Sequence, residues 1–235
     1  MKNIVLNNVT LVAIVRDEMI NPAGGIEDFV NLAVPFVEKA VIVDTGSIDG
    51  TREKLEELEI KYRNLRIYDR EFDNYVNSRN YSLSQVSTDY VLVLDADERF
   101  TRNSFRKVAH ILTEQKPGYC FRFLEISPKK NGWNMGNNPR LFRLTGKARY
   151  DSAALWETLY FNHLPFIEYY NLRNNIEDID ILHFVPDTEG LNLKLKEWYM
   201  ECFIYGTKMF KNTAPSSLKS FKRWKEPNPK RKRYI

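Results

Sequence analysis

Tyr90-Val-Leu-Val-Leu-Asp95-Ala-Asp97-Glu98 is the stretch that decides the fold of this chain. Five apolar or aromatic residues run directly into three carboxylates within four positions. A continuous run of this kind, rich in Val and Leu, predicts a strand buried on both faces, as in a parallel sheet covered by helices. At the carboxyl end of such a strand the chain meets the crevice where ligands bind.

The carboxylates of Asp95, Asp97 and Glu98 have two interpretations. Their mutual repulsion is costly unless a cation or ligand offsets it, and a divalent ion that holds a phosphorylated ligand does so most simply. Alternatively, they form an acidic turn that caps a helix starting near Asn103. An Asp-x-Asp sequence after a strand does not by itself distinguish these interpretations.

Strand and helix patterns alternate through the first half of the chain. Buried strands are predicted at 9–15, 40–44 and 65–68, with amphipathic helices between them and after them. This alternation predicts an α/β fold, in which a Rossmann-like, mostly parallel sheet is flanked by helices and its crossovers are right-handed.

The second half has a different character. Its segments up to about residue 183 are short, aromatic and interrupted by Pro, Gly and Asn, with candidate strands at 119–125, 140–144 and 179–184. Apolar residues from Leu191 to Met209 then follow helical spacing. We therefore expect one domain over residues 1–211, with a larger part to about residue 115, a smaller lobe from 116 and a C-terminal helical extension.

Composition and length restrict the class of protein. The 235 residues, 43% hydrophobic and 28% charged, predict a globular domain with an appendage. Cys120 and Cys202 lack metal-ligand spacing and favour a reducing compartment or buried thiols. No apolar run approaches the ~20 residues that span a bilayer, and the segment 9–15 fits a first strand better than a signal peptide. These features predict a cytoplasmic protein.

The basic tail at 212–235 is a separate feature. Residues 208–235 hold ten Lys or Arg and one acid, whereas the preceding 207 residues carry a net negative charge. Leu218, Phe221 and Trp224 recur at helical spacing among these cations, which suits peripheral binding to an anionic membrane surface, here the inner face of the membrane. The alternatives are a partly disordered solubilising tail and, less favoured, a nucleic-acid patch.

A second strand also ends in an acid, because the segment 40–44 closes with Asp44. In a doubly wound sheet Asp44, Asp95 and Asp97 would all point to the same edge. Gly46 and Gly50 follow Asp44 and allow a backbone to pass close to a ligand. A carboxylate here can accept from a base N–H or a ribose hydroxyl, while Mg²⁺ and Mn²⁺ favour oxygen ligands and substrate phosphates.

Three motifs follow one another in the first hundred residues, namely Val41-Ile-Val-Asp44-Thr-Gly46-Ser47-Ile-Asp49-Gly50-Thr51, Asn77-Ser-Arg79-Asn80-Tyr-Ser-Leu and Val93-Leu-Asp95-Ala-Asp97-Glu98. In order and spacing they resemble the successive signatures of family 2 glycosyltransferases. Asn138-Pro-Arg140-Leu-Phe-Arg143, Trp156-Glu157 and Ile181-Leu-His183-Phe184 lie where core-oligosaccharide-type members carry related motifs. The resemblance covers roughly residues 9–185. It implies a GT-A fold with a nucleotide-sugar half and an acceptor half.

The resemblance implies a nucleotide-diphosphate sugar as donor, and we expect a UDP-sugar. Asp44 would contact the nucleotide base, and Arg16 and Glu18 would lie near it. Arg79 would help order the base pocket and the acidic loop. Asp95 would bind ribose or a metal-bound water.

The resemblance also implies a divalent metal, Mn²⁺ or Mg²⁺. Asp97 would ligate it, with Asp95 as another metal residue of the acidic loop and His183 as a further ligand from the acceptor half. The alternative for His183 is a hydrogen-bonded core histidine at a strand end.

The reaction implied is attack of an acceptor hydroxyl on the anomeric carbon, with inversion expected and a glycan or lipid-linked molecule as acceptor. Glu157 is the candidate general base because it matches the acid of the family's His-Glu pair. Trp156 replaces the His of that pair, so Asp151 is kept as the second candidate. The alternative for Glu157 is a solvated acid on a helix or loop.

Two other functions compete with this one. Nucleotidyl transfer to a sugar phosphate also uses an α/β sheet and acidic metal ligands, but it predicts a Gly-rich, cationic phosphate loop after the first strand. Here that loop begins Arg16-Asp-Glu. A binding module that uses the basic tail predicts salt-dependent binding to nucleic acid.

Overall fold

The computed structural model describes residues 5–19, 21, 23–126, 132–135, 139–152, 157–171 and 175–184. The predicted helix from Leu191 to Met209 and the basic tail at 212–235 lie outside the described residues. No helix within those ranges is long and apolar enough to span a bilayer.

The first half contains the predicted alternation of strands and helices. In chain order the elements are β1 (Leu6–Val15), α1 (Gly25–Ala33), β2 (Val37–Asp44), α2 (Thr51–Lys61), β3 (Leu65–Asp69), α3 (Tyr75–Ser84) and β4 (Tyr90–Val93). β1 and β2 each begin three residues earlier than predicted. The polar pairs at 7–8 and 38–39 interrupt the apolar pattern, yet Leu6 and Val37 are buried opposite each other across the two strands.

These four strands form a parallel sheet in the order β3-β2-β1-β4. β2 ends at Asp44, and β4 ends just before the acidic residues that start at Asp95. Parallel strands end at the same edge of their sheet. Asp44 and the acids that start at Asp95 therefore lie at one edge, on the two sides of the end of β1. The predicted α/β sheet with its acids at one edge is confirmed.

The second half extends this sheet with mixed strand directions. The elements are β5 (Glu98–Phe100), α4 (Arg102–Ile111), β6 (Gly118–Ile126), β7 (Gly132–Met135), β8 (Leu141–Arg143), β9 (Ala148–Ser152), β10 (Glu157–Phe161), β11 (Leu164–Pro165), α5 (Phe166–Tyr169) and β12 (Asn175–Phe184). Beyond β4 the order is β8-β6-β12-β5, with β7 paired to β6. β9, β10 and β11 form a separate small antiparallel sheet. The predicted domain limits stay a prediction.

β5 replaces the acidic helix cap that was one alternative for residues 95–98. The cap of α4 is Thr101, whose side chain accepts a hydrogen bond from the backbone N–H of Ser104. Glu98 begins β5 instead and pairs with His183 of β12. A three-residue strand with two charged side chains has no apolar pattern, so only its pairing with a distant strand identifies it.

Both faces of the sheet are covered by apolar packing. On one face α1, α2 and α4 bury Phe29, Leu55 and Phe105. On the other face Val43, Val93 and Phe142 belong to a cluster that reaches the small sheet. Burial on both faces explains the continuous apolar runs of β1, β2 and β4.

α3 is attached to β9 by one side chain. The Asn80 amide group donates to the carbonyl oxygen of Tyr150 at 2.9 Å and accepts from its backbone N–H at 2.8 Å. This reciprocal pair joins residues 70 positions apart in the chain and holds the small sheet against the large one.

We predict that Asn80→Ala lowers the free energy of unfolding by about 1–3 kcal/mol, because it leaves two backbone groups of Tyr150 without their partner. Urea denaturation followed by circular dichroism measures this change. Asn77→Ala is the matched control: Asn77 lies on the same helix with its side chain exposed and loses only an exposed hydrogen bond to the Asp73 carboxylate, so its change should stay below about 1 kcal/mol. Equal losses in both variants would contradict the attachment.

Candidate active site

Asp44 is the last residue of β2, and the two oxygens of its carboxylate have different surroundings. Oδ1 accepts from the backbone N–H groups of Gly46 and Ser47, each at 2.9 Å. Oδ2 is buried and has no hydrogen-bond donor among the described residues, although Asp44 is only 3% exposed. A buried acceptor without a donor is costly, so this oxygen is suited to accept an N–H or O–H from a ligand.

The loop after β1 is joined to the loop after β2. Asp17 donates its backbone N–H to the Ser47 hydroxyl at 2.9 Å and accepts from the Ile48 N–H at 2.8 Å. The backbone N–H of Glu18 donates to the Thr51 hydroxyl at 2.7 Å. Nη2 of Arg16 lies 4.0 Å from the point that a Cβ on Gly46 would occupy. Arg16 and Glu18 therefore lie beside the loop of Asp44, as expected.

Asn21 joins the loop after β1 to the acidic loop after β4. Its Nδ2 donates to Oε2 of Glu18 at 3.1 Å and to the carbonyl oxygen of Ala96 at 2.8 Å. Its Oδ1 accepts from the backbone N–H groups of Ala23 and Gly25, each at 2.9 Å. All the polar atoms of this side chain are thus used to hold the two loops together.

Arg99 makes a second connection of the same kind. It donates to the carbonyl oxygens of Ala96 at 2.7 Å and Ala23 at 3.0 Å, and its guanidinium lies over the ring of Phe29. Burial lowers the pKa of Arg99 to about 10, although nearby acids, Asp97 first among them, oppose that shift. No local pattern points to a role for Asn21 or Arg99, because both act through contacts with residues distant in the chain.

Asp95 lies between two arginines. Its Oδ1 accepts from Nη2 of Arg79 at 2.5 Å, and its Oδ2 accepts from Nη2 of Arg140 at 3.3 Å. Burial raises the pKa of Asp95, but the two guanidinium groups outweigh burial and hold that pKa well below its usual range. Asp95 is therefore ionised, with both oxygens engaged.

Glu98 is the most deeply buried acid of the loop, at 2% exposed. Its Oε1 accepts from Nη2 of Arg140 at 2.5 Å, and its Oε2 accepts from the backbone N–H of Asp95 at 2.9 Å. Burial raises the pKa of Glu98 to about 7; Arg140 opposes this, and the neighbouring carboxylates of Asp95 and Asp97 reinforce it.

Asp97 and His183 are brought together by strand pairing. His183 lies opposite Glu98 in the β5–β12 ladder, and the backbone N–H of Phe184 donates to the carbonyl oxygen of Asp97 at 3.0 Å. The two side chains face each other with Asp97 Oδ2 3.9 Å from His183 Nε2. Within the described ranges, no group of three or more His, Cys, Asp or Glu side chains could hold a metal ion.

Glu157 belongs to this cluster, whereas Asp151 lies elsewhere. Oε1 of Glu157 accepts from Nε of Arg79 at 3.2 Å. Side chains alternate between the faces of a strand, so Glu157, opposite Ser152, faces the same side as Tyr150, and Asp151 faces the other. The side chain of Asp151 is 50% exposed and pairs with Arg149 at 3.1 Å, against 17% exposed for Glu157. Trp156 lies outside the described residues.

Arg79 connects the cluster through two carboxylates. Burial lowers its pKa, but Asp95 and Glu157 outweigh burial and raise the pKa above its ordinary value. Its Nη1 is buried without an acceptor among the described residues. The predicted site residues other than Asp151 therefore meet at one edge of the sheet. Arg140 joins them through Asp95 and Glu98, although its local motif predicts no role for it.

Comparison with known proteins identifies the family of this chain. The glycosyl transferase family 2 model matches residues 36–184. An uncharacterized glycosyltransferase of Mycoplasma genitalium is 35% identical over 77 residues, which is 30% of this chain but only 24% of that relative. The matched segment thus spans about a quarter of the relative's length.

Two solved structures share the fold. S. aureus TarS in complex with UDP-GlcNAc has a TM-score of 0.53 at 10% identity, covering 92% of this chain and 81% of that chain. The mannosyltransferase PcManGT from Pyrobaculum calidifontis, in complex with GDP-Man and Mn²⁺, has a TM-score of 0.53 at 12% identity, covering 92% of this chain and 73% of that chain. These likenesses confirm the predicted GT-A fold. With the family match over most of the described residues, the chain belongs to glycosyl transferase family 2.

Proposed function

We propose that this chain transfers a sugar from a nucleotide-diphosphate donor, a UDP-sugar, to a hydroxyl group of a glycan or lipid-linked acceptor, with inversion and with the aid of Mn²⁺ or Mg²⁺. The observation that carries the proposal is the meeting of Asp44, Asp97 and His183 at one edge of the sheet. Family membership and the structural neighbours that bind nucleotide sugars support it. The family match disfavours nucleotidyl transfer and nucleic-acid binding as alternatives.

The donor nucleotide is proposed to lie along the loops after β1 and β2. The buried Oδ2 of Asp44 is suited to accept the imino N–H of a uracil. Arg16, beside Gly46, supplies a cation near the base and ribose, and the φ of 100° at Gly46 is a backbone conformation that favours glycine. Asp95 retains lone pairs beyond those that its two arginines use, and these can accept from a ribose hydroxyl.

Asp97 and His183 fit a divalent metal. The Asp97 carboxylate and the His183 imidazole face each other, with Oδ2 3.9 Å from Nε2, and they would be its two protein ligands. Two protein ligands leave positions for the donor's phosphate oxygens, which is how Mg²⁺ and Mn²⁺ are commonly held at phosphate sites. When bound, the metal neutralises the charge that develops on the departing diphosphate.

The remaining side chains provide the rest of the chemistry. Glu157, on the face of β10 that points to the cluster, is the proposed base that takes the proton of the acceptor hydroxyl. Arg79 holds Glu157 and Asp95 together, so it fixes the base relative to the acidic loop. Asn21 and Arg99 hold the backbone of the acidic loop at Ala96.

We predict that Asp97→Ala and His183→Ala abolish the rise in melting temperature that Mn²⁺ gives with UDP, because each removes one of two protein ligands. A thermal-shift panel of UDP-, GDP-, dTDP- and CMP-sugars with and without Mn²⁺ measures this and identifies the donor. Transfer should fall by about 100-fold or more. The matched control is Asp89→Ala, because Asp89 is an exposed acid just before β4. Normal metal-dependent binding in Asp97→Ala would refute the metal site.

We predict that Glu157→Gln lowers kcat by a factor of about 10²–10⁴ with donor binding retained, since the amide keeps its contact with Arg79 but cannot take a proton. Asp151→Asn is the matched control and should keep kcat within about twofold, because Asp151 faces away from the cluster. Single-turnover transfer measured over a range of pH gives both values. The opposite outcome would assign the base to Asp151.

For the basic tail we propose docking on an anionic membrane surface where a lipid-linked acceptor resides. Deleting residues 212–235 should weaken binding to phosphatidylglycerol vesicles, measured by co-sedimentation, at least tenfold. The deletion removes about 1 kcal/mol of binding free energy for each basic residue near the surface. Vesicles of phosphatidylcholine alone are the control and should bind neither form. Unchanged binding to the anionic vesicles would remove the membrane proposal, and it would leave the transfer reaction untouched.

A further inference from the structure

Arg140 is fixed in place by its own backbone. Its carbonyl oxygen accepts from the N–H of Val93, the last residue of β4, at 2.7 Å. Its N–H donates to the carbonyl oxygen of Tyr119 in β6 at 3.1 Å. The backbone of Arg140 is therefore fixed between β4 and β6, one strand from each half of the large sheet.

The side chain of Arg140 binds the two other carboxylates of the acidic loop, one on each side of Asp97. Nη2 donates to Oδ2 of Asp95 and to Oε1 of Glu98, which lie two positions before and one position after Asp97. The side chain of Glu98 in turn accepts from the backbone N–H of Asp95. The turn that carries Asp97 is thereby closed on itself and fastened to one guanidinium group.

The same guanidinium reaches His183 through an aromatic ring. Its carbon lies 5.1 Å from the ring centroid of Phe123, which is a cation–π distance. The Phe123 ring meets the His183 ring edge to face, with centroids 6.2 Å apart and planes at 79°. Arg140 is thus one neighbour away from each member of the Asp97–His183 pair.

We infer that Arg140 is a positioning residue, which sets the orientation of Asp97 and His183 toward each other without contacting donor or metal. This inference rests on the proposed function, because it concerns the same pair of side chains. A lysine at this position would keep the charge and could donate to both carboxylates from its single nitrogen, but it would lose the planar guanidinium group that lies over the Phe123 ring. The contact of the guanidinium group with this ring, rather than the positive charge alone, is therefore what we expect to orient His183.

Two variants test the inference. Arg140→Lys keeps a cation beside Asp95 and Glu98. The double variant Arg140→Met with Glu98→Gln removes the cation together with the buried acid that depends on it, which guards against unfolding from an unpaired buried charge. Arg143→Lys and Arg143→Met are the matched controls, because Arg143 lies on β8 with its side chain 52% exposed.

The first measurement needs no metal. The chain has three histidines, so the ring Cε1–H signals of His110, His163 and His183 can be resolved by NMR and assigned with His183→Gln. We expect the His183 signal to move in both Arg140 variants, because its contact with Phe123 changes, and the other two to stay. An unmoved His183 signal in both variants overturns the inference.

The second measurement is the Mn²⁺ dissociation constant, from electron paramagnetic resonance of free Mn²⁺. We expect it to rise about tenfold or more in both variants, as for other residues that orient metal ligands, with kcat reduced. Values within twofold of the Arg143 controls overturn the inference. If the wild-type chain binds no Mn²⁺, the proposed metal site fails, while the His183 signal still decides whether Arg140 positions that ring.

Discussion

The ion pairs around Asp95 are the constraint on which the rest of the site depends. Burying carboxylates at one edge of a sheet is unfavourable unless cations are buried with them, and here Arg79 and Arg140 each take one oxygen of Asp95. Removing one member of a buried pair typically costs about 3–5 kcal/mol, because the remaining charge is left without compensation. The arrangement is therefore held as a unit, and no member can be changed without affecting the others.

This network also joins parts of the chain that are distant in sequence. Arg79 comes from α3, Arg140 from the segment before β8, and Glu157 from β10 of the small sheet. Each contributes a contact to the acidic loop after β4 or to a residue bound to it. Backbone pairing of β5 with β12 adds His183 to the same place.

A second set of contacts fixes the backbone rather than the charges. Asn21 and Arg99 bind main-chain oxygens of the acidic loop and of the loop after β1. Both donate to the carbonyl oxygen of Ala96, the residue before Asp97. Side-chain charge and backbone anchoring thus act on the same turn. This division explains how a turn with three acids keeps one of them, Asp97, turned toward His183.

The amino-acid sequence by itself determined the α/β sheet and the edge at which Asp44 and Asp97 meet, because apolar runs, turn residues and strand-end acids are local patterns. It also determined the family, which the match over residues 36–184 confirms. Only the tertiary structure decided that Arg140 and Arg79 share Asp95, that Glu157 and not Asp151 faces them, and that Glu98 starts a strand instead of a helix cap. These features depend on strand register and on contacts between residues far apart in the chain, and neither leaves a periodic trace in the sequence.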